Sequence, residues 1–401
     1  MNASLLKVFV ILFVIASHTT GMRFTVTIDA LTHGASSLEV GLMLSSISLV
    51  PACFAIAAGR WLDRSGPRGP LALTLACSAV SGAAAFLFPT AEVGYIVLFA
   101  ACPMVGMALL LVNAIVQRLT GDVSTPETRA TAFTFLALVN ATSSLVTPIA
   151  TGYVVEHVGC GAYYAFAAAS PVVLGLVCLT PAFRAILPTQ GRANAKGAGK
   201  RRASDFFRMP GMRAVLFVSV MVSVAWEVGE LLIPVYCNAV GLSPADIGWV
   251  LGSFSAASFT VRAFMPFLAR HMREWTMISG TLLIASIAFT IYPLFETKYA
   301  LMASSFLLGS GLGASYPNIM SLVYRLAPRG RVGEAIGLRL MMLNASKTTF
   351  PAAMGAVGAA IGPGAALWAL AAFVFGGFVQ ARRNAPAVFA AIEDLHEAHP
   401  D

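Results

Sequence analysis

Charge is what this sequence has least of. Of 401 residues, only 11% are Asp, Glu, Lys or Arg, against roughly 25% in a water-soluble domain. So few charges cannot cover a water-facing surface, so the solvent of this chain is lipid. Chemical motifs are missing as well. There is no Walker loop, HExxH, GxSxG or polar stretch long enough for a catalytic domain, which argues against an enzyme or an ATP-driven pump. The six cysteines, Cys53, Cys77, Cys102, Cys160, Cys178 and Cys237, form no CxxC pair and sit mostly inside apolar runs. That spacing suits neither a metal site nor a disulfide framework and reads as small packing residues. No cofactor and no metal is expected.

What the chain does have is long apolar runs. A membrane span needs roughly 20 mostly apolar residues, and twelve stretches qualify, near 8–30, 38–58, 71–90, 94–117, 130–153, 161–183, 214–237, 246–268, 276–295, 299–323, 334–357 and 362–381. The first continues from Lys7 to about Ile28, past the roughly 7–15 apolar residues of a signal peptide, and is read as a retained span.

The net charge of +8 reflects topology and not nucleic-acid binding. Arg60, Arg64 and Arg68 follow span two, Arg118 and Arg129 follow span four, and Arg270 and Arg273 follow span eight. Arg325, Arg329 and Arg331 follow span ten, and Arg382 and Arg383 follow span twelve. The alternate loops hold little beyond Lys298. Lys and Arg favour the cytosolic side, so both termini are expected in the cytosol, in a plasma membrane of the bacterial inner-membrane type. The basic stretch 184–213 reads as a flexible cytosolic linker attracted to anionic lipid. The resulting domains are 1–183, the linker 184–213, 214–383 and a tail, 384–401, that reads as a short amphipathic helix.

The two halves repeat. At an offset of 207 residues Gly34 meets Gly241, Gly41 meets Gly248, Ser46 meets Ser253, Gly106 meets Gly313 and Arg118 meets Arg325. After a small length change, Asn140 meets Asn344, Pro148 meets Pro351 and Gly152 meets Gly355. Parallel six-span halves are a transporter architecture, with substrate bound near the midplane and access alternating as the halves rock.

The run Gly59-Arg60-Trp61-Leu62-Asp63-Arg64-Ser65-Gly66-Pro67-Arg68 resembles motif A of the major facilitator superfamily, in its place between spans two and three. The resemblance extends over nearly the whole chain and implies an all-α fold of twelve transmembrane helices in two pseudo-symmetric bundles. It implies that Gly59 and Gly66 give close approach and a tight turn. Asp63 would cap the cytosolic N-terminus of span eleven, where a helix dipole favours negative charge, and Arg64 and Arg68 would complete a conformational latch. The second copy has Pro266, Arg270 and Arg273 at the positions of Gly59, Asp63 and Gly66, so the latch is expected once. The arginine of many proton-coupled members falls here at Cys102, and the antiporter pattern of span five survives only as Thr147-Pro148 with Gly152.

Ionisable residues inside spans are costly and usually functional. They are His18 and Arg23 in span one, Glu227 and Glu230 in span seven, Arg262 in span eight and Lys347 in span eleven. Arg339 lies nearer the cytosolic end of span eleven, where an arginine snorkels. Arg23 and Glu230 are equivalent by the repeat and could pair across the cleft. Glu227 lies one turn from Glu230, and two carboxylates that close resist ionising together, which would make a proton site; His18 is a candidate relay. Arg262 and Lys347 match the positions at which the oxalate/formate exchanger of this superfamily engages its dicarboxylate. Asn113, Asn140, Asn318 and Asn344 are candidate polar lining. Three cations against two carboxylates leave buried positive charge that an anionic substrate would neutralise.

The expected function is secondary active transport of a small organic anion, driven by protons or a counter-substrate. A drug or metabolite exporter with an apolar, promiscuous cavity is the alternative. The expected partners are the small-molecule substrate and membrane lipid, with no nucleic acid, and the functional unit is expected to be a monomer.

Overall fold

The computed structural model describes residues 3–123, 129–187, 205–327 and 332–397, which are helical with short connections and contain no strand. Twelve long helices follow in order: α1 (Ala3–Thr32), α2 (Ser37–Ser65), α3 (Arg68–Leu87), α4 (Ile96–Val123), α5 (Arg129–His157), α6 (Cys160–Cys178), α7 (Pro210–Ala239), α8 (Pro244–His271), α9 (Glu274–Ile291), α10 (Lys298–Gly313 and Ser315–Leu326, joined by a turn at Ala314), α11 (Val332–Ile361) and α12 (Pro363–Glu397). Among the described residues nine of these are long and apolar enough to cross a membrane. The other three are α8, α10 and α11. Neither half of α10 has the length, at 16 and 12 residues, while α8 carries Arg262, and α11 carries Arg339 and Lys347. Large apolar side chains such as Phe86, Phe166, Val173, Leu176 and Phe264 stand exposed on the helix surfaces, as lipid-facing residues do.

Packing divides the chain into two compact units: Met1–Lys196 with Cys237–Gly252, and Gly197–Tyr236 with Ser253–Asp401. Most of the basic linker, 188–204, lies outside the described residues.

In the first unit α1 is the central helix. Val8, Ile11, Leu12 and Ile15 recur at helical spacing and bury against Leu111, Val112, Ile115 and Val116 of α4. Small residues let backbones approach where lipid offers no hydrophobic drive between helices. A β-carbon on Gly106 of α4 would collide with the Ile47 carbonyl of α2, and one on Gly82 of α3 would meet the backbone of Ala167 and Ala168 in α6. Gly152 and the Pro148 carbonyl of α5 pack in the same way against Pro244 and Gly248 at the start of α8. Thr147-Pro148 with Gly152, what remains of the span-five antiporter pattern, thus lies at this helix contact.

The second unit repeats the device. A β-carbon on Gly309 of α10 would collide with the Phe254 carbonyl of α8, and Phe254 is the repeat equivalent of Ile47. The turns repeat too. Gly34 and Gly241 both take positive φ, at 84° and 81°, which glycine adopts without strain. Ser36 then caps α2 in a capping box with Glu39, and Ser243 Oγ accepts from the Asp246 backbone N–H at 3.2 Å. Ser36 and Ser243, and Glu39 and Asp246, are again one repeat apart. The tail differs from expectation: it is no separate helix but the continuation of α12, unbroken through Pro386 to Glu397. It is held because Val388 is buried, Ala391 meets Gly211, and Arg273 lies over the Phe389 ring at 5.1 Å.

Candidate functional site

A cavity of about 310 Å³ opens inside the second unit. Helix α7 supplies Ser219, Ser223 and Glu227, which the four-residue spacing places on one face. Arg262 enters from α8, and Tyr316 enters from α10. Helix α11 supplies Arg339 and Lys347, about two turns apart, roughly 12 Å along the axis.

Three cations thus face one carboxylate. Lys347 Nζ lies 2.6 Å from Glu227 Oε1. Arg262 Nε donates to the Gly313 carbonyl at 3.3 Å. Arg339 Nε donates to Ser219 Oγ at 3.1 Å, and its guanidinium lies over the Tyr316 ring at 5.4 Å. Arg339 is only 3% exposed. This corrects the sequence expectation that it snorkels: the α11 face that carries Lys347 turns Arg339 inward, onto Ser219.

The two carboxylates of α7 part company. Glu227 turns to Lys347, whereas Glu230 accepts from Trp226 Nε1 at 2.8 Å, with the Trp226 ring edge-on to Phe254 at 4.8 Å. Glu230 does not line the cavity.

Of the asparagines, Asn344 lines the cavity. Asn113 and Asn318 donate back to their own helices, to the Leu109 and Ala314 carbonyls at 2.8 and 2.7 Å. Asn140 is exposed on α5.

His18 and Arg23 belong to the first unit. His18 is buried inside that bundle, with Nε2 3.3 Å from Ser81 Oγ of α3 and its carbonyl accepting from Tyr163 of α6 at 3.3 Å. Arg23 is partly buried on α1.

In the motif A segment Gly66 ends α2 with φ 74°. Among the described residues nothing approaches a β-carbon built on Gly59. Arg64 is exposed. Arg68 Nε donates to the Leu187 carbonyl at 2.7 Å, tying the turn after α2 to the chain beyond α6, and Arg118 Nη1 donates to the Leu62 carbonyl. The side chain of Asp63 lies outside the described residues, as do those at Pro266 and Arg270.

Two groups escape a reading of the sequence. One is Arg339, whose spacing from Lys347 was the available signal. The other is Asp29, near the end of α1. It is 4% exposed and accepts from Thr90 Oγ1 at 2.7 Å and Tyr164 Oη at 2.9 Å. His33 Nδ1 lies 3.1 Å from its other oxygen. An acidic residue within an apolar span was the signal there.

Twelve long helices whose halves repeat their turns and glycine contacts, with a charged cavity among them, define a multi-pass membrane transporter. The family model described as Major Facilitator Superfamily matches residues 8–346 and again 231–390, and the chain belongs to that superfamily of secondary transporters. Among solved structures it is similar to a POT family transporter in complex with a thioalcohol-conjugated peptide, at 13% identity and a TM-score of 0.77, covering 96% of each chain. It is also similar to a bacterial homologue of the human lysosomal transporter Spinster, inward-facing and occupied, at 13% identity and a TM-score of 0.72, covering 98% of this chain and 96% of that one. A bacterial metal transporter follows at 13% identity and a TM-score of 0.69, covering 96% and 99%. At these identities the likeness is one of fold. No curated protein matches the sequence.

Proposed function

We propose that this transporter moves a small organic anion by alternating access, driven by a proton or counter-substrate gradient. The observation that supports this is the charge of the second unit's cavity, where Arg262, Arg339 and Lys347 face the single carboxylate of Glu227. Arg339 is buried, Lys347 half-buried and Arg262 exposed; an uncompensated buried cation is expensive, and an anion relieves that cost. The volume of about 310 Å³ sits at the lower end of small-molecule sites, roughly 300–1,000 Å³, and favours a small solute over a drug-sized one. The POT family structures, one with a conjugated peptide and one with 5-aminolevulinic acid, are consistent with a small solute.

Within this reading Arg262 and Lys347 supply the positive charge that draws the anion into the site and Asn344 orients it. Glu227 and Glu230 are the proposed proton-coupling groups, with His18 a relay in the first unit. The pairing of Arg23 with Glu230, the lining roles of Asn113, Asn140 and Asn318, and the latch of Gly59, Asp63, Arg64, Gly66 and Arg68 rest on sequence. So do the cytosolic termini, the inner-membrane location and the monomeric unit.

The test is equilibrium binding of succinate and of tetraphenylphosphonium to the purified protein and to Arg262→Gln, Arg262→Lys and Lys347→Gln. A charge-assisted contact contributes about 1.5–3 kcal/mol, so Arg262→Gln should bind succinate roughly ten- to a hundred-fold more weakly, and Lys347→Gln, which leaves the Glu227 carboxylate unanswered beside the anion, should weaken it as well. Arg262→Lys keeps the charge but loses the bidentate fork and should also weaken it. Binding of the lipophilic cation but of no organic anion would replace this reading with the exporter.

A further inference from the structure

The three cations of the cavity are not equivalent. Lys347 is answered by Glu227 at 2.6 Å. The two arginines meet no carboxylate among the described residues. Arg262 donates to the Gly313 carbonyl. Arg339 donates to Ser219 Oγ, approaches Met320 Sδ at 3.5 Å and covers the Tyr316 ring. Every one of these partners is neutral. A guanidinium offers five N–H donors in a fixed fork, so each arginine keeps donors to spare. Arg339, at 3% exposure, is almost cut off from water, the other source of compensation.

Charge decides what fits. With Lys347 and Glu227 cancelling, two guanidinium charges remain on two different helices. Arg262 is exposed, so water answers part of its charge, whereas Arg339 is buried; a singly charged anion on Arg339 leaves Arg262 to water, and a doubly charged anion engages both. A planar guanidinium matches a carboxylate bidentately. The cavity lining also includes Leu340, Leu343 and Trp226, apolar groups suited to a short carbon chain.

We propose that the cavity takes a short dianion with two separate acidic groups, one on Arg262 and the other on Arg339, while Lys347 stays paired with Glu227 as long as the dianion is bound. This rests on the organic-anion reading above and names its class. It assigns Arg339 as the residue that separates dianions from monoanions, and it moves Lys347 out of direct contact with the ligand.

The experiment is calorimetric binding of three probes to the purified full chain: succinate, succinamate and inorganic phosphate. Succinamate has the same carbon skeleton with one carboxylate replaced by an amide. The parent should bind succinate about ten- to a hundred-fold more tightly than succinamate. Arg339→Gln should lower succinate to the level of succinamate and leave succinamate nearly unchanged. Should Arg339→Gln fail to fold, the parent's own succinate-to-succinamate ratio decides the matter. Equal binding of the two acids by the parent overturns the dianion assignment and leaves the organic-anion reading standing. Phosphate binding more tightly than succinate overturns the requirement for two separate groups. Failure of all three probes to bind, with binding of tetraphenylphosphonium, overturns both readings.

Discussion

Arg339 Nε donates to Ser219 Oγ across 3.1 Å, and this bond ties α11 to α7 through a guanidinium that is almost wholly buried. A buried cation held only by neutral groups is kept against the stability of the empty protein. Replacing such a group with an apolar one is often neutral or stabilising, and binding sites commonly trade stability for function. Arg339→Leu is therefore expected to match or raise the thermal midpoint of the ligand-free transporter while reducing the stabilisation that succinate gives the parent. A clearly lower midpoint without ligand would show that Arg339 is a structural member of the fold.

The glycine contacts predict a second set of effects. Gly106 and Gly309 each pack against a backbone carbonyl of a neighbouring helix, which cannot give way as a flexible side chain would. Gly106→Leu and Gly309→Leu should each cost about 1–3 kcal/mol or more through overpacking, read as loss of monodisperse protein in size-exclusion chromatography. Gly280 of α9 has nothing within 4 Å of a built β-carbon, so Gly280→Ala is the control and should leave the elution profile unchanged. Normal folding of both leucine variants would refute the packing argument.

Asp29 makes a third case. Its carboxylate fastens α1 to α6 through Tyr164 and to the α3–α4 connection through Thr90. Removing one partner of a buried, charge-assisted hydrogen bond costs about 1.5–3 kcal/mol, and orphaning several donors costs more. The thermal midpoint should fall modestly in Tyr164→Phe and further in Asp29→Leu. An Asp29→Leu variant as stable as the parent but unable to transport would mark Asp29 as part of the transport pathway and not a fastener.

The proposed latch can be tested without knowing the position of the Asp63 side chain. Asp63→Asn removes a charge and almost no volume, so expression and membrane insertion should match the parent while succinate uptake into proteoliposomes slows. Uptake at the parental rate would end the latch assignment.

Much of the fold was legible in the sequence, because lipid imposes a simple rule on it. The apolar runs, the alternation of arginine-bearing loops and the 207-residue repeat follow from bilayer thickness, membrane topology and duplicated turns. Ser36 with Glu39, and Ser243 with Asp246, were within reach on the same grounds, since a capping box depends only on nearby residues. The intramembrane charges Glu227, Arg262 and Lys347 could be picked out because each is costly in an apolar run. Which charges meet was decided by tertiary structure. One turn of helix separates Glu227 from Glu230, yet the packing of α11 against α7 gives Lys347 to Glu227, and Trp226 holds Glu230 outside the cavity. Arg339 could be read as a helix-end arginine until the rotation of α11 carried it inward. Sequence sets the spacing of charges along each helix; the rotation and contact of neighbouring helices set which charge is compensated, because that depends on atoms distant in the chain.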